Sequence, residues 1–138
     1  MEKIFSKVEP GILLHIINRL EDIEGRNDIA PAEEFLQLAT LKMNSGQTFR
    51  AHKHIKCIKT TDIAQESWVV IRGIVKCILY DLDDTIIAEP VLKSGDCSMT
   101  FRGGHNYLIL EDGTLVYEYK TGPYFGQEFD KIFLNNNK

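Results

Sequence analysis

The chain has 138 residues, a formal net charge of −4 and 43% hydrophobic residues, which fits one globular domain with its own core. This balance excludes a disordered chain, and no apolar run approaches the about 20 residues of a membrane-spanning helix. The basic residues form no stripe of the kind that binds nucleic acid, and the first residues have no signal-peptide layout. We therefore expect a cytoplasmic protein without a membrane or nucleic-acid partner.

The apolar residues between Pro10 and Glu24 recur at intervals of three and four, as on one face of an amphipathic helix. Pro10 suits the first turn of such a helix, and Gly25 suits its end. The apolar positions are Ile12, Leu13, Ile16, Ile17, Leu20 and Ile23. The sequence thus predicts an N-terminal helix and connecting loop over residues 1–30, with the apolar stripe packed on the rest of the chain or on a second subunit.

From residue 31 onward the helical spacing is replaced by short runs rich in Val, Ile, Leu, Thr and Tyr, such as residues 67–72 and 74–80. Turn signals separate these runs, and Asp112-Gly113 between two apolar stretches is typical of a tight hairpin. Regularly spaced short strands predict an all-β sandwich or barrel over residues 31–134, followed by a frayed tail at residues 135–138.

Two of the four histidines lie close together in residues 46–54, which we expect to form a strand. In a strand, His52 and His54 point to the same face, and Arg50 shares that face. Two imidazoles directed into a barrel would begin a metal site, whereas two surface histidines beside lysines would have no such role. The spacing by itself leaves both interpretations open.

Glu66 and His105 are two further candidate ligands. Glu66 begins an apolar run, where a buried carboxylate needs a partner, although a solvated glutamate at a strand edge would need none. His105 follows Gly103-Gly104, which permits a close backbone approach immediately before a strand. A single histidine on an apolar strand is more often a hydrogen-bonded core residue, so the case for a metal site depends on the joint pattern.

That pattern resembles the two motifs of the cupin superfamily, over residues 46–105. The residues that carry the resemblance are Gly46, His52, His54, Glu66, Gly73, Gly95, Asp96 and His105. The resemblance implies an all-β, cupin-type double-stranded β-helix, or jelly-roll barrel. It also implies one divalent metal ion held by His52, His54, Glu66 and His105. Asp62 is the alternative to Glu66, because the gap between His54 and Glu66 is long for the family.

Three imidazoles and one carboxylate suit Fe²⁺, Mn²⁺, Ni²⁺, Co²⁺ or Zn²⁺. Four protein ligands leave open positions on an octahedral metal, where a substrate can bind. Arg50 and Arg102 are candidates for binding a carboxylate or phosphate of that substrate. Tyr117 and Tyr119, which share one strand face, are candidates for donating a hydrogen bond to it.

The resemblance implies that the chain binds or acts on a small oxygen-rich molecule, such as a sugar, a sugar phosphate or a small acid. The metal would support isomerisation or oxygenation. Two alternatives remain open: a non-catalytic small-ligand-binding module in carbohydrate metabolism, and a metal-free epimerase-like barrel in which one histidine is the base. A homodimer is also expected, since barrels of this family commonly pair.

Overall fold

Strands make up nearly all of the regular structure in residues 1–134, the part of the chain that the computed structural model describes. The all-β prediction is therefore confirmed, while the predicted frayed tail at residues 135–138 lies outside the described residues. The strands are β1 (Glu2–Phe5), β2 (Leu13–Asn18), β3 (Asn27–Asp28), β4 (Ala39–Thr40), β5 (Glu66–Arg72), β6 (Ile74–Tyr80), β7 (Ile86–Ala88), β8 (Val91–Lys93), β9 (Cys97–Thr100), β10 (His105–Ile109) and β11 (Leu115–Lys120). Single turns of 3-10 helix occur at Leu20–Asp22 and Gln127–Phe129.

The strands form two larger antiparallel sheets and one small ribbon. The first sheet has five strands in the order β1-β2-β9-β5-β11, and the second has the order β10-β6-β7, with β8 also paired to β6. Strands β3 and β4 form the ribbon. Within the described residues, no helix has the length and apolar character needed to cross a membrane.

The N-terminal helix predicted from the apolar spacing is wrong, because its central residues form strand β2. This strand lies between β1 and β9, and both of its faces are buried. Ile16 packs on one side of the sheet and Ile17 on the other. A strand buried on both faces is a continuous apolar run, which periodicity does not distinguish from a buried helix segment. Residues 2–18 are thus part of the five-stranded sheet.

Two apolar clusters lie on opposite faces of this sheet. The cluster between the two large sheets contains Ile4, Ile17, Val70, Val75, Cys77, Leu79 and Leu92. The other cluster lies where the segment around β3 and β4 covers the sheet, and it contains Ile16, Ile29, Ala30, Met99 and Phe101. Strand β2 therefore presents alternate side chains to different cores, as the two-residue period of a strand requires.

Strand register sets a polar row across the five-stranded sheet, on the side that faces the second sheet. His15 pairs with Thr100, Thr100 pairs with Glu66, and Glu66 pairs with Lys120. Directly opposite residues in antiparallel strands present their side chains on the same face. The row begins beside Ile4 of the core cluster and ends at the edge strand β11. One end of the space between the sheets is consequently polar.

Residues 41–64 form no strand, and every one of them is exposed. The strand predicted for residues 46–54 is therefore wrong, because no other part of the described chain pairs with this segment. An isolated strand leaves its backbone groups without partners, so the alternation of His52 and His54 does not by itself create a sheet face.

Candidate ligand-binding cavity

A cavity of about 640 Å³ opens at the polar end of the space between the sheets. Strands β5, β9 and β11 line one side of it, and β10 lines the other. Residues 127–134 lie along the mouth. The side chains that define its chemistry are Glu66, Trp68, Thr100, Arg102, His105 and Tyr107. Its volume is typical of a pocket for a small molecule.

Glu66 and His105 form a polar pair in this cavity. The Nε2 atom of His105 lies 3.1 Å from Oε1 of Glu66, a hydrogen-bonding distance. The Glu66 side chain is 11% exposed and that of His105 is 24% exposed. Burial opposes ionisation of Glu66, but the hydrogen bond from His105 and its charge outweigh that effect and hold the pKa of the carboxyl below its ordinary value. Glu66 is therefore an anion near neutral pH.

An aromatic wall adjoins this pair. The rings of Trp68 and Tyr107 stack with centroids 3.8 Å apart and planes inclined by 10°. Trp68 Nε1 donates a hydrogen bond of 3.1 Å to Oε2 of Glu118, and the Tyr107 hydroxyl lies 3.0 Å from Oγ of Ser98. Burial raises the pKa of Tyr107, so its hydroxyl stays neutral. The wall combines a flat apolar surface with polar groups at its edge.

Behind the cavity lies a fully buried histidine, His15. Its Nε2 donates to the carbonyl oxygen of Tyr80 at 3.1 Å, which leaves Nδ1 to accept a hydrogen bond from Oγ1 of Thr100 at 3.0 Å. Burial lowers the pKa of His15 to about 4, so the ring is neutral at physiological pH. This neutral histidine orients Thr100, which borders the cavity.

Arg102 lies at another side of the cavity and is held by a buried carboxylate. Its Nη1 donates to Oε1 of Glu34 at 2.6 Å, and Glu34 also accepts a hydrogen bond of 2.6 Å from Nε2 of Gln65. The Glu34 side chain is 8% exposed. Since Glu34 precedes β4 and Gln65 precedes β5, this network ties Arg102 to two distant parts of the chain.

The four metal ligands predicted from the sequence fall into two separate pairs. Glu66 meets His105 in the cavity, whereas His52 and His54 lie on the exposed segment with ring centroids 5.6 Å apart. Within residues 1–134, no group of three or more His, Cys, Asp or Glu side chains is arranged to hold a metal ion. Asp62, the alternative ligand, lies on the same exposed segment. This arrangement does not fit a four-ligand centre, and the metal site stays a prediction.

Of the four predicted substrate-binding residues, only Arg102 lines the cavity. Arg50 lies on the exposed segment, outside any strand. Tyr117 and Tyr119 do share one face of β11, with ring centroids 6.2 Å apart, but they are 60% and 54% exposed. That face is turned away from the cavity. Glu118, which lies between the two tyrosines in sequence and points to the opposite face of β11, is the residue that lines the cavity.

Sequence reasoning gave Trp68, Tyr107 and Glu118 no role in the site. Trp68 and Tyr107 lie on the same strand faces as residues that were selected from the sequence. Trp68 is two positions from Glu66, and Tyr107 is two positions from His105. Side chains two apart on a strand lie on the same face, so this signal was present. Glu118 carries no such local signal, and only the pairing of β11 with β5 brings it beside Trp68.

The fold and the site define an all-β protein of two antiparallel sheets with a polar cavity at one end of the space between them. Comparisons with protein families, curated proteins and solved structures find no match for this chain. The cupin resemblance accordingly stays a prediction, and the arguments below depend on the residues of this chain.

Proposed function

We propose that this protein binds a small oxygen-rich molecule, such as a sugar, a sugar phosphate or a small acid, in the cavity between its sheets. The observation that carries the proposal is the Glu66–His105 pair at 3.1 Å beside the stacked Trp68 and Tyr107 rings. Small-molecule sites commonly combine aromatic walls with a few convergent polar groups, as this cavity does.

The two kinds of surface would divide the recognition of such a ligand. The Glu66 carboxylate accepts hydrogen bonds from hydroxyl groups, and an imidazole nitrogen of His105 can donate or accept one. The rings of Trp68 and Tyr107 offer apolar surface to a carbon skeleton. Arg102 and Lys120, which also border the cavity, supply positive charge for a carboxylate or phosphate.

Calorimetric titration of the protein with a panel of monosaccharides, sugar phosphates and small hydroxy acids tests the proposal. We expect Glu66→Gln and His105→Asn each to weaken binding of the preferred ligand by about 10- to 100-fold, since each removes a hydrogen bond involving a charged group. Glu111→Gln is the matched control, because Glu111 is exposed in the turn before β11 and does not line the cavity. Unchanged affinity in both cavity variants would exclude this site.

The metal-dependent function remains a second candidate, including isomerisation or oxygenation. It is supported by the meeting of two predicted ligands, Glu66 and His105, and by the position of the other two on a segment that leads directly into β5. This candidate requires that segment to bring His52 and His54 to the cavity.

Elemental analysis of protein purified without a metal-affinity tag separates the two candidates. The metal-dependent function predicts about one transition-metal ion per chain, lost in both His52→Asn and His105→Asn. Direct ligand binding predicts that His52→Asn leaves ligand affinity unchanged while His105→Asn weakens it. Metal-free protein that still binds the ligand would exclude the second candidate.

A further inference from the structure

Residues 41–64, here called the basic loop, have no long-range hydrogen bond to the rest of residues 1–134. Each hydrogen bond within this loop joins groups no more than three positions apart, such as Asn44 with Gln47 and Thr61 with Ile63. Every residue of the loop is exposed. A loop of this length without secondary structure is uncommon in a compact domain, and many such loops are functional.

The loop concentrates positive charge. No aspartate or glutamate occurs between Glu34 and Asp62, while this interval contains Lys42, Arg50, Lys53, Lys56 and Lys59. The interval therefore carries a formal charge of +5, and the remainder of a chain whose net charge is −4 carries −9. Such an asymmetry favours contact between this loop and an acidic surface.

Large apolar side chains alternate with these basic residues. Phe49 is 62% exposed, Ile55 is 87% exposed and Ile58 is 94% exposed. A single exposed apolar side chain is ordinary, but three within ten residues on one loop make a surface that a partner would cover. The partner must therefore offer apolar contacts as well as negative charge.

The chain itself has a surface of that kind. Residues 123–134, here called the C-terminal segment, expose Phe125 and Phe129 by 75% each, Ile132 by 88% and Phe133 by 74%. Glu128, Asp130 and Lys131 lie between these side chains and give the segment a net charge of −1, and Asp84 lines the same cavity mouth as Asp130. Apolar groups beside Glu128 and Asp130 are the complement of apolar groups beside the lysines of the basic loop.

We infer that two copies of this chain associate, with the basic loop of each copy packed on the C-terminal segment of the other. The exchange is reciprocal and gives a closed two-fold dimer. A loop of this length, anchored at both ends, can extend about 40 Å, roughly the width of a domain of this size. The two surfaces together contain more than the about 20–30 residues per partner of a standard interface.

A second copy of the chain would cover both the basic loop and the C-terminal segment, so one partner accounts for the exposed apolar side chains of both surfaces. An anionic membrane would also attract the basic loop, but it would leave the aromatic C-terminal segment uncovered. In the proposed dimer, each surface covers the other. Because residues 127–134 lie along the mouth of the cavity, the partner's loop would also narrow the entrance to that cavity.

Light scattering and sedimentation equilibrium on the full chain test this inference through a charge exchange. One variant carries Lys53→Glu and Lys56→Glu, and a second carries Glu128→Lys and Asp130→Lys. We expect the parent protein to be a dimer at micromolar concentration. Each variant by itself should dissociate at least tenfold more readily, because the first places glutamates opposite Glu128 and Asp130 and the second places lysines opposite the basic loop. Mixed in equal amounts, the variants should form a heterodimer, because one contact is then the parent contact and the other joins the introduced glutamates to the introduced lysines.

Apolar substitutions give a second and independent readout. Ile55→Ser with Ile58→Ser should weaken the dimer without affecting the fold, which circular dichroism monitors, since both side chains are exposed. Ile86→Ser is the matched control, because Ile86 is 54% exposed on β7, outside both surfaces, and should leave the dimer intact. A monomeric parent protein, including one that binds anionic vesicles as a monomer, would overturn the inference. A dimer unaffected by both sets of loop substitutions would overturn it too.

Discussion

Gly103 lies against Tyr80 at the end of strand β6. A Cβ atom at this position would be 2.5 Å from the carbonyl oxygen of Tyr80, the same oxygen that accepts a hydrogen bond from His15. The residue also has a φ angle of +76°, which other L-residues adopt at a cost. Gly103 therefore permits the close approach that leads the chain from β9 into His105.

We expect Gly103→Ala to lower the free energy of unfolding by about 3 kcal/mol, because the unfavourable φ angle and a backbone clash act together. Gly46→Ala is the control, since Gly46 has a φ angle of +82° but a Cβ there would meet nothing within 4 Å. It should cost about 1 kcal/mol. Urea denaturation measures both, and equal losses would contradict the role of the contact with Tyr80.

His15 makes the stability of the fold depend on pH. Burial lowers its pKa from 6.5 to about 4, so the unfolded chain binds the proton more readily than the folded chain. Stability should therefore be complete above pH 6.5 and fall as the pH decreases toward 4. The expected loss between pH 7 and pH 5 is about 2 kcal/mol.

Urea denaturation at several pH values, for the parent protein and for His15→Gln, measures this dependence. Gln cannot titrate, so the variant should be less stable at pH 7 and should lose less stability between pH 7 and pH 5. An identical slope in both proteins would assign the dependence to other groups.

At the scale of elements, substitutions in β2 test whether residues 13–18 form a strand that is buried on both faces. Ile16 and Ile17 are adjacent in sequence but pack in different clusters on opposite faces of the sheet. We expect Ile16→Ala and Ile17→Ala each to destabilise the fold by about 2–5 kcal/mol, because each creates a cavity in a core.

The double substitution distinguishes a strand from a helix. Because the two clusters share no described residue, the two losses should be nearly additive. On the stripe of an amphipathic helix, both side chains would pack against one surface and their effects would couple. Strong non-additivity in denaturation experiments would contradict the strand. Ile86→Ala, at an exposed position, should cost less than about 1 kcal/mol.

Strand β2 also shows which parts of the fold could be predicted from the sequence and which could not. The all-β class was predictable from turn signals and β-branched runs, and β6 agrees with that reading. The tight hairpin predicted at Asp112-Gly113 is wrong, because the turn there connects β10 and β11, which belong to different sheets. Strand β2 could not be predicted, since apolar side chains on both faces remove the alternation that identifies a strand. Two preceding turn residues, Pro10 and Gly11, were the available signal against a continuous helix.

The basic loop has the residue spacing of a strand but does not form one. His52 and His54 have the spacing of a strand face, but a strand also needs a neighbour to pair with, and pairing is a property of the whole fold. Glu66 and His105 were predicted as metal ligands from local signals, a carboxylate on an apolar run and a glycine pair, and both line the cavity. Their contact with each other depends on how the two sheets meet, which no local pattern encodes.

At the scale of the whole molecule, the two sheets enclose a space that is apolar at one end and polar at the other. Ile17, Val70 and Leu79 fill the apolar end, while Glu66 and His105 occupy the polar end. A carboxylate and an imidazole placed between sheets contribute less to stability than apolar side chains of similar volume would. Their presence at this position is the physical argument for a ligand.

The most direct test of a ligand in this cavity uses the indole N–H signal of Trp68 in a ¹⁵N-correlated NMR spectrum. Trp68 is the only tryptophan in the chain, so its indole signal is assigned without further experiments, and its ring lies in the cavity wall. During titration with the preferred sugar, sugar phosphate or hydroxy acid, we expect this signal to shift and saturate, with a weaker response in Glu66→Gln. A ligand that binds while the Trp68 signal stays unchanged, or a full panel that leaves it unchanged, would contradict the account.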